Sequence, residues 1–309
     1  MKILQCFTIA DKQTGLFIMR AFQSFGHSVT VVDSKTEADK TVSVCESIKP
    51  DLILCSREEG LLEPVKYIRK KYPKIKIVCW NVDKRKNIYQ FGSKLLSLFD
   101  SVHVLYTVAL GDINAYRKEC PHTIVKHLQQ GCDLSTHKIE IPNKEDHKKY
   151  DCDVLFAGSI STVHIGRKNL IRFLMNKKDL NFKHFGSTRG SRIYDSEHNK
   201  ACLCAKICLS NNGLAMLGVS MSFRVYKIMA AGGFLLEEYC PGIENWFKVG
   251  KEFDVYKNPQ DCYNKIIYYL NNEEKRKTIA KEGYGIVTKN HTYAIRIKQI
   301  IDDIETIKL

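Results

Sequence analysis

The chain has 309 residues, of which 44% are hydrophobic and 27% charged, an ordinary globular composition that can bury large cores. The N-terminus, M-K-I-L-Q-C-F-T-I-A-D-K, becomes charged too early for a signal peptide, and no apolar stretch approaches the ~20 residues of a membrane span. These features argue against a secreted or membrane-spanning protein and predict a cytoplasmic one. The length exceeds what one hydrophobic core usually serves, so two domains of about 150 residues are expected.

The net charge is +14 at pH 7, which favours anionic partners such as nucleotides, phosphate groups or nucleic acid. The charge is spread along the chain: residues 1–150 hold 24 Lys and Arg against 17 Asp and Glu (24 − 17 = +7), half of the total. Because a spread charge also serves solubility alone, polyanion binding and solubility both remain as interpretations.

The 12 cysteines are scattered without paired spacing. Cys202, Cys204 and Cys208 form the one cluster in the sequence, and no matching His or Cys group lies nearby at zinc-site spacing. The pattern indicates buried thiols in a reducing compartment, and it predicts neither a disulfide framework nor a metal site.

Short apolar runs alternate with amphipathic segments in the first half. K-I-L-Q-C-F-T-I, S-V-T-V-V-D, P-D-L-I-L-C, K-I-K-I-V-C-W-N-V-D and S-V-H-V-L-Y-T-V are, in chain order, typical of buried strands. G-L-F-I-M-R-A-F-Q-S-F and L-L-E-P-V-K-Y-I-R-K-K-Y, which lie between strands, are typical of helices. Continuous β-rich runs separated by helices predict a parallel sheet covered on both faces and joined by right-handed crossovers.

A polar stretch without apolar periodicity, I-P-N-K-E-D-H-K-K-Y-D at residues 141–151, is interpreted as a linker. The alternation then restarts with the strands D-V-L-F-A-G-S, F-K-H-F-G-S and K-I-C-L-S-N-N-G and a helix over G-R-K-N-L-I-R-F-L-M. Helical patterns at residues 261–270 and 291–307 follow. We therefore expect two doubly wound α/β domains, residues 1–145 and 146–309, with the last helix packing back on the first domain as an option.

Two such domains, placed face to face, would leave a cleft at the carboxyl ends of both sheets, where ligands bind in open α/β folds. Gly158 and Ser159 follow the strand D-V-L-F-A at such an end, and Arg167 lies near the start of the next helix. A small turn lets backbone N–H groups approach an anion, and the helix adds its positive end. Such turns also simply connect a strand to a helix, so both interpretations stay open.

The stretch S-F-R-V-Y-K-I-M-A-A-G-G carries a stronger signal. Ser222 can cap a helix that Gly232 and Gly233 end, which places Arg224 and Lys227 on one face near the positive end. Two cations beside this positive dipole cost a few tenths to about 1 kcal/mol unless an anion lies between them. A phosphate or pyrophosphate site is therefore favoured, with two solvated surface charges as the alternative.

Asp83 ends the strand K-I-K-I-V-C-W-N-V-D in the first half. A carboxylate at the carboxyl end of a central strand can take a proton from an attacking hydroxyl, although an Asp that caps the next turn fits the same pattern. Lys84, Arg85 and Lys86 follow directly and predict a basic mouth on the acceptor side of the expected cleft, which would suit a polyanionic acceptor.

Taken together, D-V-L-F-A-G-S, F-K-H-F-G-S, R-V-Y-K-I-M-A-A-G-G-F-L-L, Y-C-P-G-I-E-N-W-F, V-G-K-E-F and H-T-Y-A-I-R resemble the glycosyltransferases of the spore-maturation type. The resemblance is densest over residues 151–301 and thinner earlier, at G-H-S-V, W-N-V-D and Q-Q-G-C-D. More distantly, the chain is similar to the DNA β-glucosyltransferase of T-even bacteriophages in the order of its strand ends and its R-V-x-x helix. The resemblance implies the GT-B architecture: two Rossmann-like domains, acceptor-side and then nucleotide-sugar-binding, facing a central cleft.

The resemblance also implies roles for the matching positions. Asp83 would be the general base. The donor-binding residues would be Gly158, Ser159, Arg167, Gly186, Arg224, Lys227, Gly232 and Gly233. Both families typically have Glu where this chain has Lys227, and that Glu accepts hydrogen bonds from the nucleotide ribose. Lysine has only donors and cannot accept in that role, so three alternatives stay open: the ribose is held otherwise, with Glu237, Glu238 and Glu244 as candidate acceptors; Lys227 contacts the phosphates; or the protein binds without transferring.

The implied function is that of a glycosyltransferase, which moves a sugar from a nucleotide-diphosphate sugar, expected to be a UDP-sugar, to an acceptor hydroxyl. The acceptor would be a surface glycan or a modified DNA base. Fixed cations and helix N-termini can stabilise the leaving diphosphate, so neither a metal nor a separate cofactor is expected. Lys227 motivates the alternative, a catalytically inactive nucleotide- or glycan-binding protein with the same fold. Donor sugar, stereochemistry and oligomeric state are left open.

Overall fold

In the computed structural model the chain forms two compact units, each built around a parallel sheet. The structure describes residues 1–9, 14–160, 165–186, 188, 191–212 and 220–307. The first unit comprises Met1–Gln130 and the C-terminal stretch from Tyr293, and the second comprises Gly131–Thr292. The boundary predicted at residue 145 therefore falls inside the second unit, and the last helix belongs to the first.

The sheet of the first unit has the strand order β2-β1-β3-β4-β5-β6, and all neighbouring strands are parallel. Its strands are β1 (Lys2–Cys6), β2 (Ser28–Val32), β3 (Leu52–Cys55), β4 (Lys76–Asn81), β5 (Val104–Thr107) and β6 (Ile124–His127). β4 is central, and its residues from Ile77 to Asn81 are completely buried. This is the burial expected where helices cover both faces of a parallel sheet.

The helices of the first unit are α1 (Thr14–Ser24), α2 (Thr41–Ile48), α3 (Leu62–Lys71), α4 (Gly92–Asp100), α5 (Ile113–Glu119) and the C-terminal α12 (Tyr293–Thr306). α12 packs against α1, where the rings of Phe17 and Tyr293 lie 5.6 Å apart. Asp303 of α12 accepts a hydrogen bond from the hydroxyl of Tyr106 (2.7 Å) and pairs with Lys126 (2.7 Å). These contacts attach the C-terminal helix to β5 and β6.

The sheet of the second unit has the order β11-β10-β9-β7-β8 and is again parallel. Its strands are β7 (Cys152–Ala157), β8 (Phe182–Phe185), β9 (Ala205–Leu209), β10 (Leu235–Glu238) and β11 (Asp254–Tyr256). Its helices are α6 (Lys144–Tyr150), α7 (Ile165–Met175), α8 (Asp195–Cys204), α9 (Phe223–Ala230), α10 (Pro259–Leu270) and α11 (Glu273–Asn290). Ser187 and Gly213, with which two of the predicted strand segments end, lie outside the described residues.

The prediction that residues 141–151 form a linker is wrong in one respect, because most of this stretch is the helix α6. Asn143 caps α6: its side chain accepts hydrogen bonds from the backbone N–H groups of Glu145 and Asp146. Asp146 in turn accepts from the backbone N–H of Asn143, which completes a capping box. Tyr150 is the one buried residue of α6, so the sequence had no apolar periodicity to reveal the helix.

All 12 cysteines lie among the described residues and are buried, free thiols, as the sequence predicted. No helix in the described part of the chain is long and apolar enough to cross a membrane.

Candidate functional site

The turn after β7 is shaped by two glycines at the ends of neighbouring strands. The backbone N–H of Gly158 donates to the carbonyl of Phe185 at the end of β8 (2.8 Å), and His184 Nε2 donates to the carbonyl of Gly158 (2.8 Å). Gly186 has φ +105°, and a Cβ there would lie 3.0 Å from the Gly158 carbonyl carbon and oxygen. The two strand ends therefore approach each other this closely because Gly186 has no side chain.

Arg224 is half-buried and lies beside this turn. Ser222 caps α9 by accepting from the backbone N–H of Arg224 (3.3 Å). The Arg224 guanidinium donates through Nε to the carbonyl of Ala157 (2.9 Å) and stands over the ring of Phe156, 5.1 Å from its centroid. A Cβ on Gly158 would lie 2.5 Å from Arg224 Nη2, so the guanidinium occupies the space that a side chain would fill.

Lys227 follows on the same face of α9, one helical turn beyond Arg224. Its side chain is partly buried, and Nζ lies 5.3 Å from the centroid of the Phe223 ring. Among the described residues no carboxylate forms an ion pair with Lys227 or Arg224. Burial lowers the pKa of Lys227 to about 8, and the charge of Arg224 contributes to that shift. The ammonium form still prevails at pH 7. Of the two cations, Arg224 lies in the first turn of α9, whereas Lys227 lies in its last turn and not, as the sequence predicted, near the positive end.

These groups meet in one pocket of about 350 Å³, here called the strand-end pocket. Five residues that the sequence singled out line it together: Gly158, Ser159, Gly186, Arg224 and Lys227. No Asp or Glu is among the described residues that line it. The pocket is therefore a cationic recess at the carboxyl ends of β7 and β8, which suits an anionic ligand such as a diphosphate.

Sequence reasoning missed three further residues of the strand-end pocket: Arg192, Tyr194 and His198. They belong to the segment that leads from β8 into α8. Asp195, at the start of that helix, has φ +45°, a conformation that Asp tolerates better than most residues. The missed signal was topological, since parallel neighbours end at the same edge and the segment after β8 should border the same recess as the turn after β7.

Arg167 supports the pocket and does not line it. It is the third residue of α7, and its side chain is only 5% exposed. Its guanidinium donates to the carbonyls of Ser159 (2.9 Å) and Asn211 (2.7 Å). Burial, together with the nearby Arg224, lowers the pKa of Arg167 to about 10, which leaves it charged at pH 7. It therefore fixes the backbone at Ser159, whereas the resemblance implied contact with the donor.

Gly232 and Gly233 also lie away from the strand-end pocket. Gly232 has φ +80° and ends α9, and a Cβ there would lie 3.1 Å from the side chain of Ile139. A Cβ on Gly233 would lie 3.0 Å from the sulfur of Cys208. Gly232 therefore ends the helix, and Gly233 permits close packing against Cys208.

Asp83 in the first unit lies just beyond the carboxyl end of β4, as predicted, but it is ion-paired. Arg57 donates two hydrogen bonds to its Oδ2, one of them from Nε at 3.0 Å. Among the described residues no hydrogen bond reaches Oδ1, and the side chain is 53% exposed. The carboxylate thus keeps one oxygen that an acceptor hydroxyl can approach.

The basic stretch after Asp83 is less uniform than its sequence suggests. Lys84 is buried, with 5% of its side chain exposed, and its Nζ lies 4.0 Å from Asp112. Arg85 stands over the ring of Phe91 (5.9 Å to the centroid), and Arg85 and Lys86 are both exposed. Only Arg85 and Lys86 therefore remain available as contacts for an anionic partner.

A D-x-D string, D-C-D, occurs at Asp151 and Asp153, at the amino end of β7. Asp153 accepts hydrogen bonds from Lys206 and from the backbone N–H of Asn181 (2.8 and 3.0 Å), so both its oxygens are occupied. Within the described residues, one group could hold a metal ion: His147, Asp151 and Cys204. None of these residues lines the strand-end pocket.

The fold and the pocket define an α/β protein with two parallel sheets and a cationic recess at the strand ends of the second. Residues 167–302 match a family model described as glycosyl transferase-like. The comparison with curated proteins found no match.

Solved structures resemble the chain over nearly its whole length. HepE from Anabaena, in complex with UDP and glucose, has a TM-score of 0.68 at 12% identity, covering 99% of this chain and 100% of that one. The T4 alpha-glucosyltransferase, in complex with UDP and a 13-mer DNA containing a HMU base, has a TM-score of 0.75 at 11% identity (99% and 98% covered). A glycosyltransferase from Rickettsia africae has a TM-score of 0.68 at 11% identity (99% of both chains).

These findings confirm the expected GT-B fold. The chain has the GT-B fold, with a glycosyl transferase-like domain over residues 167–302. The phage protein in these matches is the alpha-glucosyltransferase, whereas the sequence resemblance was to the DNA β-glucosyltransferase.

Proposed function

We propose that the chain binds a UDP-sugar in the strand-end pocket and transfers its sugar to an acceptor hydroxyl. One observation carries this proposal: Arg224 and Lys227 converge on a recess with no Asp or Glu among its described lining residues. Arg224, in the first turn of α9, is repelled by the positive end of the helix dipole and by the nearby charge of Lys227, and an anionic ligand between the two cations removes that cost. The diphosphate of a nucleotide-sugar has the required charge.

The same arrangement suits the chemistry of transfer. Breaking the bond between sugar and diphosphate develops negative charge on the leaving group, which Arg224, Lys227 and the N-terminal end of α9 can stabilise. Gly158 has no side chain, so a phosphate can approach the backbone beside the Arg224 guanidinium. Because cationic side chains are already in place, we propose that transfer proceeds without a metal ion or a separate cofactor.

The donor nucleotide is proposed from the similar structures. HepE was solved with UDP and with UDP-glucose, and the alpha-glucosyltransferase with UDP and UDP-glucose as well. Since this chain has the same fold and a cationic pocket, we propose uridine as the donor nucleoside. Free, buried cysteines and an activated-sugar donor are consistent with a cytoplasmic location.

Two acceptors remain in the proposal, a surface glycan and a modified DNA base. The alpha-glucosyltransferase was solved with DNA containing a HMU base, and the net charge of +14 of this chain favours a polyanion. We propose Asp83 as the general base in either case, through its free Oδ1, with Arg85 and Lys86 beside it as contacts for an anionic acceptor.

A panel of UDP- and GDP-sugars tests the proposal. We expect at least one UDP-sugar to raise the melting temperature of the protein and to release UDP when a suitable acceptor is added. A duplex containing hydroxymethylated bases, the same duplex unmodified, and a glycan distinguish the acceptors. Arg224→Ala is the control, because it should weaken both responses.

Binding of a UDP-sugar without any turnover would favour the inactive binding protein instead. If no nucleotide-sugar shifts the melting temperature of the parent protein, the proposed donor site is wrong.

A further inference from the structure

Glu237 is a buried carboxyl group close to the cations of the strand-end pocket. It lies near the carboxyl end of β10 and is only 2% exposed. Within the described part of the chain, neither carboxylate oxygen has a hydrogen-bond partner at normal distance. Buried polar groups are nearly always hydrogen-bonded, so an exception of this kind calls for a reason.

The groups that face Glu237 come from five elements and their ends. They are Arg167 from α7, Arg224 from α9, Ser210 after β9, Tyr256 from β11, Glu238 beside it, and Cys240 after the strand. Ser210 lies opposite Glu237, because its backbone pairs with Leu236 (2.9 Å) and Glu238 (3.2 Å), and its hydroxyl accepts a hydrogen bond from Arg224 Nη1 of the pocket (3.4 Å).

These surroundings have opposite effects on the pKa of Glu237. Burial raises the pKa of Glu237 to about 7, while Ser210 and Arg224 favour its charged form and offset part of that rise. Neither form is strongly preferred near neutral pH. When Glu237 is charged it neutralises part of the positive charge of Arg167 and Arg224, and when it is neutral that charge is fully available to a ligand.

We propose that Glu237 is a positioning residue of the strand-end pocket: above neutral pH it is ionised while the pocket is empty, and it takes a proton from solvent when a nucleotide-sugar binds over Arg224. This inference rests on the proposed function for the identity of the ligand. The diphosphate replaces the carboxylate as the counter-ion of the guanidinium groups, and like-charge repulsion drives the proton onto the buried carboxylate. No bond other than the O–H bond is formed.

The proposal predicts that donor affinity depends on pH with a definite sign. Below pH 6 the free protein already carries the proton, so affinity should be constant there. Above pH 7 binding takes up to one proton at Glu237, and the affinity should fall by up to about tenfold per pH unit. Lys227, whose pKa is lowered to about 8, adds a second proton uptake at higher pH because an anion favours its charged form.

Titration calorimetry with UDP-glucose, in buffers of different ionisation enthalpy between pH 6 and 9, tests the proposal. UDP-glucose is a suitable probe because its diphosphate has no group that titrates in this range. We expect net proton uptake near pH 7.5 in the parent. Glu237→Gln, which is neutral throughout, should bind as tightly as the parent at pH 6 and more tightly at pH 8, and should keep only the smaller uptake that Lys227 contributes. Glu238→Gln, on the same strand, is the matched control and should retain the parent's full uptake.

The outcomes separate this inference from the proposed function. If the parent binds UDP-glucose at pH 6 but takes up no proton near pH 7.5, or if Glu237→Gln keeps the parent's pH dependence, Glu237 has no such role while the donor site stands. If Glu237→Gln does not fold, Lys227→Arg decides the matter, because arginine does not titrate in this range and the uptake that remains near pH 7.5 must then come from Glu237. If the parent binds no UDP-sugar at any pH, both proposals are overturned.

Discussion

Replacing Gly158 with alanine tests whether the Arg224 guanidinium belongs to the donor site. No positive φ restricts Gly158, so its backbone accepts an alanine without conformational strain. The added Cβ would lie 2.5 Å from Arg224 Nη2, 3.2 Å from Arg224 Cζ and 3.3 Å from Phe156. The substitution therefore acts by displacing the guanidinium group of Arg224.

The size of the effect follows from these distances. Ordinary contact begins at 3.4 Å, so the guanidinium must move by about 0.9 Å (3.4 − 2.5 = 0.9). That shift disrupts the 2.9 Å hydrogen bond from Nε to the carbonyl of Ala157 and moves Nη2 away from the pocket. One hydrogen bond to a charged group contributes about 1.5–3 kcal/mol. UDP should therefore bind the Gly158→Ala variant roughly 10- to 150-fold more weakly.

Titration calorimetry with UDP measures the loss. Gly285→Ala is the matched control, because a Cβ there meets nothing within 4 Å and lies inside α11. It should leave UDP affinity unchanged and raise stability slightly, as glycine-to-alanine changes in helices do. If Gly158→Ala acts through the guanidinium, adding it to Arg224→Ala should cost no further affinity. Parental UDP affinity in Gly158→Ala would refute the reasoning.

Four further predictions concern single side chains. Arg224→Ala should weaken UDP binding by about 1.5–3 kcal/mol in calorimetry, and an unchanged affinity would remove it from the diphosphate site. Lys227→Glu should bind UDP more weakly than Lys227→Ala, because it brings a negative charge within about one turn of the diphosphate; tighter binding would indicate a ribose contact instead. Asp83→Asn should keep UDP affinity and lower transfer at least about a hundredfold, whereas unchanged turnover would exclude Asp83 as the base. Glu237 has a pKa of about 7 against an ordinary 4.5, so its folded form binds more protons and stability falls as pH rises from 4.5 through 7. Glu237→Gln should therefore unfold less readily than the parent at pH 8, by up to about 3 kcal/mol in urea denaturation, with a gain that shrinks toward pH 5.

Most of the strand-end pocket was predictable because it depends on strand ends. Parallel strands deliver the residues that follow them to one edge of a sheet, so Gly158 after β7 and Gly186 after β8 had to be neighbours. The capping Ser222 fixed where α9 begins, and the helical spacing then placed Arg224 and Lys227 on one face. The complete burial of Ile77–Asn81 in β4 was predictable in the same way, because helices cover both faces of a parallel sheet.

The elements that sequence reasoning missed have little apolar periodicity. α11 is rich in Lys and Glu and contains Gly283 and Gly285, which weaken any helical signal. Gly283 is explained only by packing, since a Cβ there would collide with the carbonyl oxygen of Glu252. The same limit applies to α6, whose polar sequence was interpreted as a linker.

Side-chain partners that are distant in sequence were also beyond sequence reasoning. The pairing of Asp83 with Arg57 joins segments that follow different strands, and no spacing rule connects them. Arg167 is a cation near the start of a helix and was therefore predicted to contact the ligand. Its guanidinium instead donates to the carbonyls of Ser159 and Asn211 in the protein interior. Glu237 was one of three candidate acceptors in the sequence, and only its burial distinguishes it from Glu238.

A structure of the protein with UDP bound tests the central claim most directly. The account predicts that the diphosphate lies in the strand-end pocket, beside Gly158 and within hydrogen-bond distance of Arg224 and Lys227. A diphosphate bound elsewhere, with the Arg224 guanidinium still resting on Gly158 and the pocket empty of phosphate, would contradict it.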